Sequence, residues 1–493
     1  MKHEKKLQHW SKNASQISYP VRSTVFCPPR RSVPMRLYTL HKRDFAILFA
    51  AFFACLTLCG FIGLAGPPIT RAESVRASDL PSPLNRSHMA TGPFVLLTPV
   101  LSPYSQQLWV LARVLISDGD QSFHKNFTVG VAIYAKTEEG RRVAVLDPAH
   151  NRTRDLRCLD KVCDGFTVLH LGFLDFPQYS LVVTFHGLEP IDAKYRIVEV
   201  VFYFKSYNPS FTHLEMWFRF IFVLLAFLMT CWLAHTLWPF YVCDWSIEQR
   251  WMFILLPLLL LYDGEGDMSS SPCVTSCCVD PVFPLGLLAN SSLPGLLDAV
   301  FQASFLCTLL LFWLCIYHGI RQTRRGCATF YLPKLAVTGV LWTSAVTLAS
   351  WQRVNQLRDP TYDYHLDTSS FTALKIVFFL AGGVYLLYLG LLAVRAFSEL
   401  RSMPYFDVRL KFLTALTLVT LAVSVAVTAL RFGLSAALED NFAAQLSTTY
   451  SSSVQFMASY GLLNFYLFTM AYVYSPSPTA HVVGLEDHAI TIS

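Results

Sequence analysis

Long apolar runs recur along the chain, and a single long polar segment separates the first run from the others. The first run, Phe45–Gly66, reads "FAILFAAFFACLTLCGFIGLAG". At about 1.5 Å per residue, a helix of this length crosses a hydrocarbon core of about 30 Å. A cleaved signal peptide usually lies nearer the N-terminus and has a shorter apolar core. The run therefore predicts a transmembrane anchor, residues 45–66, that stays in the mature protein.

The C-terminal half alternates apolar runs with short polar loops and predicts a seven-helix domain at residues 216–474. Together with the anchor, these helices would cross the membrane eight times and leave both termini on the same side. Trp and Tyr recur at the span ends, as is typical of the membrane–water interface. The predicted spans are Met216–Trp238, Trp251–Ala289 (interrupted), Leu296–His318, Tyr331–Trp351, Leu374–Val394, Leu410–Leu430 and Phe456–Tyr474.

Basic residues predict the orientation in the membrane. Arg36, Lys42 and Arg43 precede the anchor, so the positive-inside rule places the N-terminal segment, residues 1–44, in the cytosol. Its polar composition and scattered prolines predict that residues 1–35 are disordered. The C-terminal tail, residues 475–493, then also lies in the cytosol, and the polar segment after the anchor lies on the lumenal or extracellular side.

That polar segment, residues 67–215, contains short runs of β-branched and aromatic residues bounded by Gly, Pro, Asn and Asp, which is typical of strands. In one run Phe127, Val129, Val131 and Ile133 fall on one face at period two. Roughly seven strands in about 150 residues predict an antiparallel β-sandwich. The predicted strands are Phe94–Val100, Leu108–Ile116, Phe127–Tyr134, Val143–Leu146, Phe166–Leu171, Tyr179–Phe185 and Ile197–Phe204.

Modification signals support this placement. Asn85, Asn126 and Asn151 each begin an N-glycosylation sequon, and three in one segment support each other although a single one arises readily by chance. Cys158 and Cys163 are the two cysteines of the segment. An oxidising compartment favours a disulfide between them. Two free thiols are the alternative, and a zinc site would need further ligands nearby.

The composition agrees with a membrane protein. Of the 493 residues, 53% are hydrophobic and 15% are charged, against about 25% charged in soluble domains. The net charge of +6 lies mostly in the first 44 residues, and nothing resembles a nucleic-acid-binding fold or a phosphate-binding glycine loop. The expected partner is therefore membrane lipid and not nucleic acid. Most of the 13 cysteines lie in apolar runs, where cysteine behaves as a small hydrophobe.

The stretch Gly264–Val279, "GEGDMSSSPCVTSCCV", interrupts one predicted span. A zinc or redox site would have to use Cys273, Cys277 and Cys278. Their spacing fits no common ligand pattern, and a fourth ligand is missing. We interpret the stretch as an insertion, because its excision leaves one apolar run long enough for a span.

An intramembrane aspartyl protease is a second hypothesis for this region, because Tyr262-Asp263 is followed by Gly264–Asp267. That chemistry needs two carboxylates, brought together from two helices, that share a proton. Here the two aspartates are expected to lie close together on one polar loop, which disfavours the hypothesis. No His-Glu-x-x-His motif or nucleophile elbow occurs, so we expect neither an enzyme nor a cofactor.

Several motifs resemble the transmembrane protein 181 family over about Met35 to Ser477. That family is similar to Wntless and to proteins that join a lumenal β-sandwich of the Golgi-dynamics (GOLD) type to seven helices. The resemblance implies a multi-pass α-helical membrane protein with an anchor, a bundle and a lumenal sandwich, and a continuous span where this chain has Gly264–Val279. The motifs are "MRLYTLHKRDF", "HNRTRDLRC", "SYNPSFTHLEMWFRFIF", "CDWSIEQRWMFILLPLLLLY", "LLLFWLCIYHGIR", "SELRSMPYFDVRLKFLTALT" and "YGLLNFYLFTMAYVYSPS".

The resemblance also implies a receptor-like role in the Golgi and secretory pathway or at the plasma membrane. The lumenal domain and the bundle would bind a protein ligand or lipid-modified cargo, and an outside ligand such as a bacterial toxin could exploit them. The alternative is a signalling receptor coupled to G proteins. No Asp-Arg-Tyr follows the corresponding third helix of the bundle, however, and no Asn-Pro-x-x-Tyr lies in the last span.

A transporter or channel is a third class, and ionisable residues deep in a span would indicate it. Arg219 and His235 lie near the ends of their predicted span, where they can reach the interface. Asn464 in the last span is the strongest candidate for a buried polar residue. It is either a contact in a ligand cavity or an interhelical hydrogen bond, which is worth about 0.6 kcal/mol in membrane helices.

Overall fold

A computed structural model describes the anchor, nearly all of the polar segment and most of the bundle. The described residues are 33–80, 88–117, 123–137, 140–159, 162–172, 174–264, 293–319, 327–361, 372–400, 411–424 and 452–478. Three predicted features lie outside them. These are Asn85, most of the predicted insertion Gly264–Val279 with its three cysteines, and residues 479–493 of the tail.

The polar segment forms a two-layered antiparallel sandwich, as predicted. One layer has the strand order β1-β9-β3-β7 and the other β5-β4-β8-β2, and the short strand β6 joins β3 to β5. A short helix, Glu189–Tyr195, precedes β9. The strands are β1 Thr70–Arg76, β2 Phe94–Leu97, β3 Leu108–Ile116, β4 Phe123–Lys136, β5 Arg142–Leu159, β6 Val162–Cys163, β7 Phe166–Leu171, β8 Gln178–His186 and β9 Ile197–Tyr207.

Aromatic rings from both layers fill the space between them. Phe94 and Phe185 of one layer contact Phe202 of the other, with ring centroids 5.3 and 6.4 Å apart. Phe127 meets Phe166 in the same way at 5.0 Å. Each ring is almost completely buried, and aromatic pairs at these distances add about 0.5–1.5 kcal/mol beyond the burial of their surface. The apolar residues that alternate at period two in the sequence thus form the inner face of each strand.

All seven predicted strands are present, but two further strands were missed. β1, "TRAESVR", has a mostly exposed and polar face and is held by main-chain pairing with β9. β6 has only two residues. Neither carries the apolar alternation from which strands are recognised.

Within the described residues, six helices are long and apolar enough to cross a membrane. They belong to α1, α2, α4, α5, α6 and α8, while α3 has 18 residues and α7 is shorter still. The helices are α1 Lys42–Ala65, α2 Pro209–Leu237, α3 Ile247–Gly264, α4 Leu293–Gly319, α5 Leu332–Arg358, α6 Thr372–Leu400, α7 Lys411–Ser424 and α8 Ser453–Tyr474.

Helix α3 corrects the prediction for this part of the chain. The apolar run Trp251–Leu261 has 11 residues and is by itself too short to cross a membrane. The helix extends through polar residues at both ends to 18 residues, or about 27 Å. Asp263 lies on this helix and is buried, not on a polar loop as predicted. The helix therefore extends beyond the apolar run, because its polar end residues have hydrogen-bond partners inside the bundle.

The anchor α1 packs closely against α8 through glycines. A Cβ at Gly63 would lie 2.6 Å from the Val454 Cα, and one at Gly461 would lie 3.0 Å from the Cys59 Sγ. Small residues allow such close approach of membrane helices. At the sandwich end of this contact, Ser453 donates a hydrogen bond to the Pro67 carbonyl, so the start of α8 lies beside the end of α1.

At the opposite end of the bundle, the segment before α1 contacts the segment after α8. Main-chain hydrogen bonds join Arg36 to the Ser475 carbonyl and Ser477 to the Pro34 carbonyl, both at 2.9 Å. The Arg36 guanidinium lies 4.8 Å from the ring centre of Tyr472. We call this contact of residues 33–36 with 475–477 the terminal clasp. Because Val33 and Met35 are buried in it, the predicted disorder of residues 33–35 is wrong.

Candidate functional site

Residues 359–361, which follow α5, contact the sandwich directly, and we call them the junction loop. The His170 main-chain N–H of β7 donates to the Pro360 carbonyl at 2.9 Å. Arg152 of β5 donates to a carboxylate oxygen of Asp359. Side chains on β5 that are two residues apart point to the same side, and His150 accordingly also approaches Asp359, at 3.5 Å. The loop therefore covers neighbouring edges of the two layers.

Arg154, on the same side of β5, connects three segments through its guanidinium. It donates to the Thr167 carbonyl of β7 at 2.9 Å, to the Thr153 carbonyl at 3.2 Å, and to the Thr361 carbonyl of the junction loop. The residue is 1% exposed. A buried guanidinium is tolerated only where its donors are satisfied, so Arg154 holds both layers and the junction loop in one arrangement.

Asp359 gives the junction loop its charge. Thr361 donates to one carboxylate oxygen through both its main-chain N–H (2.9 Å) and its hydroxyl (2.6 Å). Burial raises the pKa of this carboxyl, but the hydrogen bonds from Arg152 and Thr361 outweigh burial and lower the pKa to about 2. Asp359 is consequently a carboxylate at neutral and mildly acidic pH.

We expect the junction to persist between pH 7 and pH 5. The lowered pKa means that the contact contributes its full stabilisation above the ordinary carboxyl pKa of about 4, and loses it only as the pH falls toward 2. Hydrogen exchange of the His150–Arg154 amides, corrected for the intrinsic pH dependence, should show constant protection over this range. The Asp359→Asn variant should show reduced protection throughout, whereas loss of wild-type protection near pH 6 would contradict the assignment.

The sandwich also contacts the start of α2. The Thr212 hydroxyl donates to the Tyr104 carbonyl at 2.9 Å, and the Gln106 amide donates to the Thr212 hydroxyl at 3.3 Å. Asn208 caps α2 by accepting from the Ser210 N–H, and its own N–H donates to the Ile69 carbonyl. Together with the junction loop, these bonds fix the sandwich on the bundle at two separate places.

Inside the bundle, a polar pair joins α3 to α8. The Asn464 side-chain amide donates to the Asp263 Oδ1 and to the Tyr460 carbonyl, each at 3.1 Å. The Tyr460 hydroxyl donates to the Asp263 main-chain carbonyl at 3.2 Å. All three residues are at most 2% exposed. Asn464 lies eleven residues after Ser453, the first residue of α8, so its Cα sits about 16 Å below the sandwich end of that helix.

A salt bridge on α2 lies next to this pair. Arg219 binds the Glu215 carboxylate at 2.8 Å one turn away, and its guanidinium lies 5.5 and 5.6 Å from the ring centres of Phe456 and Tyr460. Because α2 begins at Pro209 rather than Met216, Arg219 lies well inside the helix. Its side chain is directed to the α8 rings. Its predicted position near the end of the membrane span stays a prediction.

Comparisons with known proteins agree with this architecture. A family model described as the Wntless-like transmembrane domain matches residues 208–265 and 272–478. A second, described as the GOLD domain of TMEM181, matches residues 92–207. Transmembrane protein 181 of Homo sapiens is 48% identical over 449 residues, which cover 91% of this chain and 88% of the relative. The chain belongs to the transmembrane protein 181 family.

This TMEM181-family chain is therefore a multi-pass membrane protein with a GOLD-type sandwich, which confirms the resemblance and the predicted fold class. The match to the transmembrane model is interrupted at residues 266–271. This break falls inside the predicted insertion Gly264–Val279 and is shorter than it, and the insertion itself stays a prediction.

Four of the five predicted modification sites of this family member lie on the sandwich, and the fifth, Asn85, is not described. Cys158 and Cys163 face each other on β5 and β6 and are bonded to each other in the structure, and oxidation of the pair in the cell stays a prediction. Asn126 on β4 and Asn151 on β5 are both exposed, so an enzyme can reach them. Asn85 lies outside the described residues. Glycosylation of all three stays a prediction.

Of the predicted bundle residues, Asn464 is buried and bonded to another helix, whereas His235 is exposed near the far end of α2. Sequence reasoning missed Asp263, Arg152 and Arg154. Asp263 follows an apolar run and was assigned to the loop, although a carboxylate two residues after "LLLL" could have been weighed as a helix residue. Nothing local distinguishes Arg152 and Arg154, because their partners lie 207 residues away.

Proposed function

We infer that this protein is a receptor-like component of the secretory pathway or cell surface. It binds an extracytoplasmic protein, lipid-modified cargo or an exploiting toxin where its GOLD-type sandwich meets its bundle. The observation that carries this proposal is the junction: Arg152, Arg154 and His170 hold the sandwich edges on the bundle through the junction loop. A ligand bound to the sandwich would therefore also be presented to the helices.

The sandwich offers a surface for a protein ligand. β2 is the last strand of its layer among the described residues, and Val95 and Leu97 on its outward side are 43% and 58% exposed. An edge strand presents main-chain donors and acceptors that an extended peptide can pair with. This edge supports recognition of a protein or peptide ligand.

The terminal clasp favours this role over coupling to G proteins. Coupling would require a partner to enter the bundle at the end opposite the sandwich. There, residues 33–36 are hydrogen-bonded to residues 475–477, and Ser475 and Ser477 are completely buried. Entry would have to break the clasp first.

The proposal is tested with purified protein in lipid nanodiscs. The probe is a short serine peptide that carries one long acyl chain and a photo-crosslinking group, and the controls are the unacylated peptide and the free fatty acid. We expect the acylated peptide alone to raise the unfolding temperature saturably and to form adducts with the sandwich and with bundle residues beside the junction loop. Equal effects of all three probes, or agonist-independent nucleotide exchange on added G protein, would contradict the proposal.

A further inference from the structure

The Asp263–Asn464 pair leaves two buried oxygen atoms without a hydrogen-bond donor. Neither the Asp263 Oδ2 nor the Asn464 Oδ1 accepts a hydrogen bond from any residue that the structure describes. The two side chains are 1% and 0% exposed. A buried acceptor without a donor costs about 1–3 kcal/mol, and a buried carboxylate costs more. Two such atoms on side chains that already share one hydrogen bond indicate a missing donor.

The orientation of the Asn464 amide is determined by its bonds. Its nitrogen donates to the Asp263 Oδ1 and to the Tyr460 carbonyl, so both of its hydrogens are used. Exchanging the nitrogen and oxygen positions would set an oxygen against the Tyr460 carbonyl oxygen. The amide oxygen is therefore on the side that carries no donor, and in a planar acid–amide pairing that oxygen is directed to the second oxygen of the carboxyl group.

The surroundings supply no charge in direct contact with the pair, although the Tyr460 hydroxyl also approaches the Asp263 side chain and Arg219 acts on it through space. The nearest cation, Arg219, is engaged by Glu215, and together they are neutral. The other titratable groups at the site among the described residues are the phenols of Tyr262 and Tyr460, whose rings lie 6.0 Å apart. On the α4 side, Phe305 contacts Tyr262 with ring centres 4.8 Å apart, and Phe305 carries no charge.

We propose that Asp263 and Asn464 form a proton-binding site inside the bundle. The bound proton resides on the Asp263 Oδ2 and is donated to the Asn464 Oδ1, while the Asn464 Nδ2 donates to the Asp263 Oδ1. A neutral carboxylic acid supplies one donor, and an apolar site can hold a carboxyl group in that form. One proton thus satisfies both acceptors and removes the buried charge. Among the described residues of the site, a metal cation would find these two spare oxygens, whereas hard cations bind six or more oxygen atoms.

The proton also strengthens the contact between α3 and α8 at this level. With the proton present, three hydrogen bonds connect the helices at this level: the two of the acid–amide pair and the one from the Tyr460 hydroxyl to the Asp263 carbonyl. Without it, both oxygens are left without a donor and a charge remains in the bundle, so the contact between α3 and α8 is weakened.

Infrared spectroscopy of the full-length protein in nanodiscs tests the site. We expect the carbonyl band of a protonated carboxyl group at neutral pH, shifted in heavy water and absent from Asp263→Asn. The matched control, Asp359→Asn, should retain the band. Asn at position 263 places an N–H where the acid has its O–H, so Asp263→Asn should unfold at the wild-type temperature, while Asp263→Leu should unfold several degrees lower.

Two outcomes would overturn the proposal. The first is a wild-type spectrum without a carboxyl band that Asp263→Asn removes. The second is a saturable rise in the unfolding temperature of the wild-type protein in sodium chloride relative to choline chloride, provided that Asp263→Asn abolishes this rise. That result would assign a metal cation to the site. Asp263→Asn keeps both hydrogen bonds of the pair. The infrared and salt-dependence measurements therefore remain possible even if Asp263→Leu does not fold.

Discussion

Replacement of Gly63 by valine is expected to destabilise the protein by about 3 kcal/mol, near the upper range for overpacking. A Cβ at this position would lie 2.6 Å from the Val454 Cα and 3.0 Å from the Ser453 carbonyl oxygen. Both atoms belong to the α8 backbone, which cannot rotate away as a side chain can. The valine would therefore push α1 away from α8. Thermal unfolding of the detergent-purified protein should show a lower unfolding temperature than the wild type.

Gly60 provides the matched control for this prediction. It lies on the same helix, and a Cβ there would meet no atom within 4 Å. Gly60→Val should unfold at the wild-type temperature or slightly above. Equal unfolding temperatures for the two variants would show that α1 does not pack against α8 in this way.

Replacement of Arg154 by alanine is expected to cost about 3 kcal/mol or more. The change removes the donor from three carbonyl groups in β5, β7 and the junction loop, and each buried carbonyl without a donor costs about 1–3 kcal/mol. Proteolysis should then cleave the variant at the junction before the sandwich unfolds, because the junction loop loses its buried contact. The unfolding temperature and the order of cleavage measure these two effects.

The control for Arg154 is Arg157 on the same strand, which is exposed. Arg157→Ala should leave stability and cleavage unchanged, since exposed charges contribute little. If Arg154→Ala matched it in both measurements, the junction would not hold the sandwich on the bundle.

Local patterns predicted most of the fold because the strands and helices obey them. Phe127, Val129, Val131 and Ile133 alternate, and all four are buried in the sandwich. β1 escaped because its residues are polar and its stability comes from main-chain pairing to β9, more than 120 residues later in the chain. Hydropathy windows also began α2 too late, because Glu215 and Arg219 lower the average while satisfying each other.

The candidate sites were harder to predict, because each depends on contacts between distant segments. Asn464 stood out as a lone polar residue in an apolar helix, yet its partner Asp263 lies 201 residues earlier. Its chemistry depends on that partner, since an amide beside a carboxyl group differs from an amide beside water. Likewise, nothing in the sequence around Asp359 indicates that its partner is Arg152.

The sandwich is assigned to the side of the membrane opposite the cytosol. Determining which sequons are glycosylated tests this central assignment most directly. The chain carries a further sequon, Asn13-Ala-Ser, in the segment assigned to the cytosol, which serves as an internal control. We predict that Asn126→Gln and Asn151→Gln each increase the gel mobility of the protein from cells, that glycosidase treatment abolishes these differences, and that Asn13→Gln changes nothing. A shift with Asn13→Gln and none with the two sandwich variants would contradict the account.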